Sequence, residues 1–156
     1  MTPAINALQR AKTTFKIHEY THDAMAESYG LEAAEKLGIS AEKVFKTLVV
    51  SLDTKAYAVG VIPVSSMLSM KQIAKITGVK KAVMANKSDV ERITGYVLGG
   101  VSPIGQKRPL KTFIDSSALS FSTIFVSAGR RGMEIELDPK VLQSQTCAQF
   151  AEISQR

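Results

Sequence analysis

Apolar positions Ala4, Leu8 and Ala11 recur at the spacing of one helix face. Thr2 and Pro3 just before them supply a capping hydroxyl and a proline at the first helical position, so a helix is predicted from residue 3 to about residue 12. The period then falls to two. Phe15 and Ile17 share one side of a strand that closes at Tyr20. Residues 21 to 30 show neither period and read as a loop, leading into a short helix from Leu31 to Leu37 that Gly38 stops. Phe45 to Leu52 and Ala56 to Pro63 are apolar, β-branched runs joined by Asp53-Thr54-Lys55, the pattern of a hairpin at the centre of a sheet.

Ser69 with Gln72 forms a capping box for a helix through Ile76 that ends at Gly78, and Lys81 to Ala85 fits a short strand. Ser88 with Glu91 predicts a second capped helix, ended by Gly95. Further strands are expected at Thr112 to Asp115, Thr123 to Ser127 and Met133 to Leu137, the last two linked by Ala128-Gly129-Arg130-Arg131-Gly132. Asp138-Pro139 starts a final short helix, and the pattern after Thr146 predicts nothing definite. Helices and strands mix without the alternation of a doubly wound fold. The expectation is α+β: a single domain over 1–156 with a curved mixed β-sheet or β-barrel-like core flanked by helices.

Composition narrows the function classes. With 156 residues, 45% of them hydrophobic and 22% charged, the chain suits one globular domain able to bury a core. No apolar run approaches the roughly 20 residues that span a bilayer, and the N-terminus lacks the apolar centre of a signal peptide, so a cytoplasmic location is expected. Cys147 is the sole cysteine, and with His18 and His22 it leaves no Cys/His cluster for a structural zinc. The net charge of +6 is concentrated: residues 71 to 111 hold nine Lys or Arg against Asp89 and Glu91, a local +7. Such a segment fits a polyanion such as RNA, or a solvated lysine-rich surface.

Beside that segment lies Gly95 to Gly105, GYVLGGVSPIG, with four glycines in eleven residues. Its amides could face an anion or oxyanion, or the glycines could serve turns alone. Lys46 is the anomaly among the strands, since it shares a face with Leu48 and Val50. It either bends its head to solvent or faces a cavity where its charge has work. A serine-hydrolase triad is not supported, because no serine sits in a nucleophile elbow and His18 lies within a strand. Glu134 and Glu136 share a strand face and read as a solvated pair, and Cys147 as a small packed residue.

Three segments in this order and spacing carry a resemblance: Val44-Phe45-Lys46-Thr47-Leu48, then Tyr96 to Gly105, then Ser127-Ala128-Gly129-Arg130-Arg131-Gly132 followed by Glu134-Ile135-Glu136. Together they resemble the YbaK family of free-standing aminoacyl-tRNA deacylases, relatives of the editing domain inserted in bacterial prolyl-tRNA synthetase. The resemblance implies hydrolysis of Cys-tRNA(Pro), with the substrate's own thiol attacking its carbonyl and no metal or cofactor. Lys46 would then hold the terminal nucleotide and its carbonyl or phosphate, and the Gly99 and Gly100 amides would bind the oxyanion. Tyr20, Thr47 and Ser127 match pocket positions, Tyr29 fills an aromatic one, and Glu134 stands where an Asp is expected. The implied partners are aminoacyl-tRNA(Pro) and prolyl-tRNA synthetase in a ternary complex, and a monomer is the simplest state. A deacylase for tRNA charged with alanine or serine, and a tRNA-binding module without turnover, are the alternatives.

Overall fold

A computed structural model describes residues 1–26 and 28–155. Glu27 and Arg156 lie outside the described residues, together with the parts of the loop and tail readings that fall on them. The first helix, α1 (Pro3–Arg10), begins as its cap predicts: Thr2 Oγ1 accepts from Ile5 N and donates to Ala128 O at 2.6 Å. One hydroxyl therefore both starts the helix and ties it to a strand 126 residues away.

The strands are β1 (Lys16–Glu19), β2 (Phe45–Leu52), β3 (Tyr57–Pro63), β4 (Met67–Leu68), β5 (Ala82–Met84), β6 (Lys111–Asp115), β7 (Ile124–Arg130), β8 (Met133–Leu137), β9 (Gln149–Ala151) and β10 (Ser154–Gln155). Among the described residues they form three sheets and no closed barrel, in the orders β5-β2-β3-β6-β9, β1-β8-β7 and β10-β4. Strands β2 and β3 are the antiparallel hairpin that the Asp53-Thr54-Lys55 turn predicts, with Lys55 at φ 66°. Strand β6 joins β3 in parallel, which requires a long crossover. That crossover carries α3 (Met70–Thr77), β5, α4 (Lys87–Thr94) and the glycine-rich stretch. A lone parallel bridge, Val44 to Phe125, stitches the start of β2 to β7.

Period two in β2 sends alternate residues into different cores. Phe45 and Val49 join Leu8, Val61, Ile114, Val126 and Ile135 between the sheets, while Val50 and Leu52 join Ile62, Phe113, Ile73 and Ile153 on the outer face. Lys46 lies on this second face with Leu48 and Val50, at the end of the strand where the packing opens. Near the C-terminus, buried Asp115 accepts from Ser117 N, Ile153 N and Ser154 N, so the tail is anchored where the sequence predicted nothing.

Four local readings change. Helix α2 (Tyr29–Leu37) starts two residues before Leu31, because Ser28 Oγ accepts from Leu31 N and carries a Tyr-Gly pair into the first turn. Asn86, not Ser88, caps α4: Asn86 Oδ1 accepts from Asp89 N at 2.8 Å, and the Ser88 hydroxyl donates to that same oxygen. Strand β7 runs through Ala128 and Gly129 to Arg130 by way of an irregularity between Ser127 and Arg130, which narrows the predicted loop. Cys147 is exposed at φ 54°, closing the last helix, α5 (Pro139–Thr146), and is not packed.

Candidate functional site

The start of β2 opens into a cavity of about 350 Å³. From β2 it takes Phe45, Lys46, Thr47 and Leu48; from β7 and β8 it takes Ser127 and Glu134, which face each other across the ladder. Tyr20 enters just past β1, where its backbone N donates to Gly132 O at 2.9 Å. These three sources meet because β1 pairs with β8, β8 with β7, and β7 with Val44 ahead of Lys46. Backbone register sets this wall.

Its electrostatics come from burial. Glu134 is only 7% exposed and its pKa is raised to about 8 by desolvation, so the carboxyl is largely protonated near neutral pH and can donate a hydrogen bond. Burial also lowers the Lys46 pKa, and it raises that of Tyr20, with a further push from Glu134 once that carboxyl ionises. Thr47 Oγ1 is buried and has no hydrogen-bond partner among the described residues. An unpaired hydroxyl at a cavity wall is a group that a bound molecule could satisfy. Lys46 is the lining residue with a cationic side chain, and no lining residue is a histidine or cysteine. Groups of this kind can position and polarise a bound molecule, and none of them is a strong nucleophile.

The opposite wall is made by side chains and loop. Tyr96 is buried, its pKa pushed up to about 12 by desolvation, and its hydroxyl donates to Ile104 O at 2.6 Å, closing the glycine-rich stretch on itself. At φ 94°, Gly99 lines the cavity, and a Cβ there would meet the Tyr29 ring at 2.9 Å. Gly100 differs. Its amide donates to Val97 O at 3.0 Å, and a Cβ there would lie 2.7 Å from Arg130 Cα, so this glycine serves a turn and a close backbone approach.

The structure thus brings Lys46, Thr47, Tyr20, Tyr29, Ser127, Glu134 and Gly99 to one cavity and sets Gly100 behind its wall. The solvated reading of Glu134 and Glu136 is corrected. Glu134 turns into the cavity, and Glu136 accepts from the Thr123 hydroxyl and pairs with His18 Nε2. Sequence reasoning missed Leu98 and Ser28 on the lining, and Arg131 and Glu32 behind Tyr29. The only local signal was Glu32 four residues before Lys36, which does form an ion pair, at 3.3 Å. Among the described residues no cluster of His, Cys, Asp or Glu could hold a metal, and no helix is long and apolar enough to cross a membrane.

The family described as the aminoacyl-tRNA editing domain matches residues 26–144. An Enterococcus faecalis protein named "Putative Cys-tRNA(Pro)/Cys-tRNA(Cys) deacylase EbsC" is 41% identical over 155 residues, covering 98% of this chain and 93% of that protein. The Bacillus subtilis protein YwhH is 31% identical over 111 residues, 71% of this chain and 70% of its own length. Among solved structures, one described as a "putative trans-editing enzyme for prolyl tRNA synthetase" superposes with a TM-score of 0.82, covering 100% of this chain and 99% of that one. At 23% identity this last likeness speaks for the fold.

Proposed function

This chain belongs to the aminoacyl-tRNA editing domain family, and from that premise we propose that it is a trans-acting deacylase that releases cysteine from Cys-tRNA(Pro). The observation that carries the reading is the gathering of Lys46, Thr47, Ser127, Glu134 and Gly99 around one cavity with no histidine or cysteine on its lining. A site of that kind suits a substrate that brings its own nucleophile. The cysteine sulfur adds to the ester carbonyl carbon, forming a C–S bond while charge moves to the carbonyl oxygen. Collapse breaks the bond to the ribose oxygen, which leaves with the proton that the thiol gave up. Water then opens the cyclic thioester and frees cysteine.

Lys46 is assigned to the carbonyl or to the phosphate of the terminal nucleotide, where a partly desolvated ammonium acts most strongly on developing charge. The Gly99 amide is assigned to the oxyanion, since the Gly100 amide is already engaged. Tyr29 and Tyr20 flank the amino acid and adenine, and Thr47, Ser127 and protonated Glu134 offer hydrogen bonds. The basic residues between Lys71 and Lys111 are assigned to the tRNA backbone. The chain works as a monomer in the cytoplasm, in a ternary complex with prolyl-tRNA synthetase and tRNA(Pro) that selects the tRNA.

The test is hydrolysis by the purified protein of tRNA(Pro) charged with cysteine, alanine or proline, with Cys-tRNA(Cys) as a fourth substrate because the E. faecalis relative's name includes it. Rapid loss of cysteine from tRNA(Pro), with proline retained, is expected. Loss of proline as fast as cysteine contradicts an editing role, and binding of tRNA without hydrolysis favours a non-catalytic module.

A further inference from the structure

Tyr29 is held by contacts that the proposed reaction does not use. The Arg131 guanidinium lies 4.2 Å over the Tyr29 ring, and Gly99 leaves no room for a Cβ on the side where it meets that ring. Arg131 is in turn fixed by Glu32, at 3.4 Å, and by donation to Asp23 O. Glu32 is 6% exposed and also accepts from Asp23 N at 2.6 Å and pairs with Lys36 at 3.3 Å, while Lys36 donates to Thr21 O. Burial alone would raise the Glu32 pKa, but these hydrogen bonds and cations hold it below the ordinary value, so the hub keeps its charge at neutral pH. Segment 21–26, helix α2 and the β7–β8 hairpin thus converge behind one ring.

We infer that Arg131 is a positioning residue: braced by Glu32, it presses Tyr29 toward Gly99 and so sets the width of the cavity and the amino acid it admits. This deepens the deacylase reading and rests on it for the substrate. Arginine suits the task because its planar guanidinium can stack on a ring while its edge hydrogen-bonds to a carboxylate and a carbonyl, which a lysine ammonium cannot do together. Without Arg131, Tyr29 is free to swing from Gly99, and both positioning and size exclusion weaken.

The experiment compares wild type, Arg131→Ala, Arg131→Lys, Tyr29→Ala, Tyr29→Phe and the Arg131→Ala/Tyr29→Ala double variant on Cys- and Pro-charged tRNA(Pro). The Tyr29 ring resonances are followed by NMR in parallel. Arg131→Ala is expected to raise KM for Cys-tRNA(Pro) about tenfold, to let Pro-tRNA(Pro) bind and compete with it without being hydrolysed, since proline carries no thiol, and to shift the Tyr29 resonances. Arg131→Lys should restore neither KM nor the exclusion of proline, whereas Tyr29→Phe, which keeps the ring but loses a hydroxyl at the cavity, should still exclude proline and change KM by less than about threefold. The double variant should be no worse than Tyr29→Ala, because both changes remove one interaction. Continued failure of Pro-tRNA(Pro) to inhibit release of cysteine by Arg131→Ala, or additive losses in the double variant, would overturn the inference. If the wild type hydrolyses neither ester, the deacylase reading fails by itself. The Tyr29 resonances then decide the clamp, and no shift in Arg131→Ala refutes it.

Discussion

The two walls of the cavity are built by different physics. One is a strand wall: Lys46 and Thr47 on β2, with Ser127 and Glu134 paired across β7 and β8, placed by backbone ladders. The other is a side-chain wall: Tyr29 and Gly99, set by an arginine 102 positions from that tyrosine and a carboxylate 99 positions from that arginine. A ladder fixes which way every second residue points, so its chemistry survives most changes around it. A clamp depends on each member in turn. The strand wall therefore suits groups that must not move during the reaction, and the side-chain wall suits the choice of what enters.

If that division holds, the largest effect comes from the strand wall. Lys46→Ala should lower deacylation of Cys-tRNA(Pro) by at least about 100-fold while the melting temperature changes little, because Lys46 has no ion pair among the described residues. Activity near wild type in that variant would remove Lys46 from the reaction. The two adjacent glycines separate next. Gly100→Ala forces a Cβ against Arg130 Cα and should cost about 1–3 kcal/mol of stability, read as a fall in melting temperature. Gly99→Ala should lower both stability and substrate binding, since its φ of 94° strains any side chain and the added Cβ would also push on the Tyr29 ring that lines the cavity.

A third expectation concerns pH. The Glu134 pKa of about 8 lies above the ordinary value of 4.5, so between those values the folded chain holds a proton that the unfolded chain has lost. Stability contributed by this group is then present below about pH 4.5 and declines as pH rises toward 8, by up to about 1.4 kcal/mol per pH unit. Glu134→Gln should flatten that decline in thermal melts and remove any limb near pH 8 from the activity profile. An unchanged slope would mean that Glu134 is not held neutral. The smallest effect is expected at Tyr29→Phe, which retains the ring and should change kcat/KM less than about threefold, or roughly 0.6 kcal/mol.

The comparison also explains what the sequence made legible. Lys46 stood out because the β-branched run around it fixes a period of two, and a lysine on an apolar face of such a run signals a cavity or an edge. Glu134 did not stand out by the same reasoning. Glu134 and Glu136 share a face, but that face passes from the cavity to the His18 ring and the Thr123 hydroxyl within two residues. Gly99 and Gly100 were indistinguishable by type and differ only in what their amides and absent side chains face. Beyond the spacing of Glu32 and Lys36, the pairing of Arg131 with Glu32 is legible in no local pattern, since it appears only once α2 packs beside the β7–β8 hairpin. The helices, by contrast, announced themselves through caps, and the displaced cap at Asn86 arose because two polar residues two apart compete for one role.

The central claim is that the cavity positions an ester whose own sulfur performs the attack. Serine differs from cysteine by one atom and fits the same space, so initial rates on Cys-tRNA(Pro) and Ser-tRNA(Pro), measured at equal enzyme and pH, test it most directly. The account predicts hydrolysis of the cysteine ester at least about 100-fold faster than the serine ester. Equal rates would contradict it and would require a nucleophile supplied from outside the substrate.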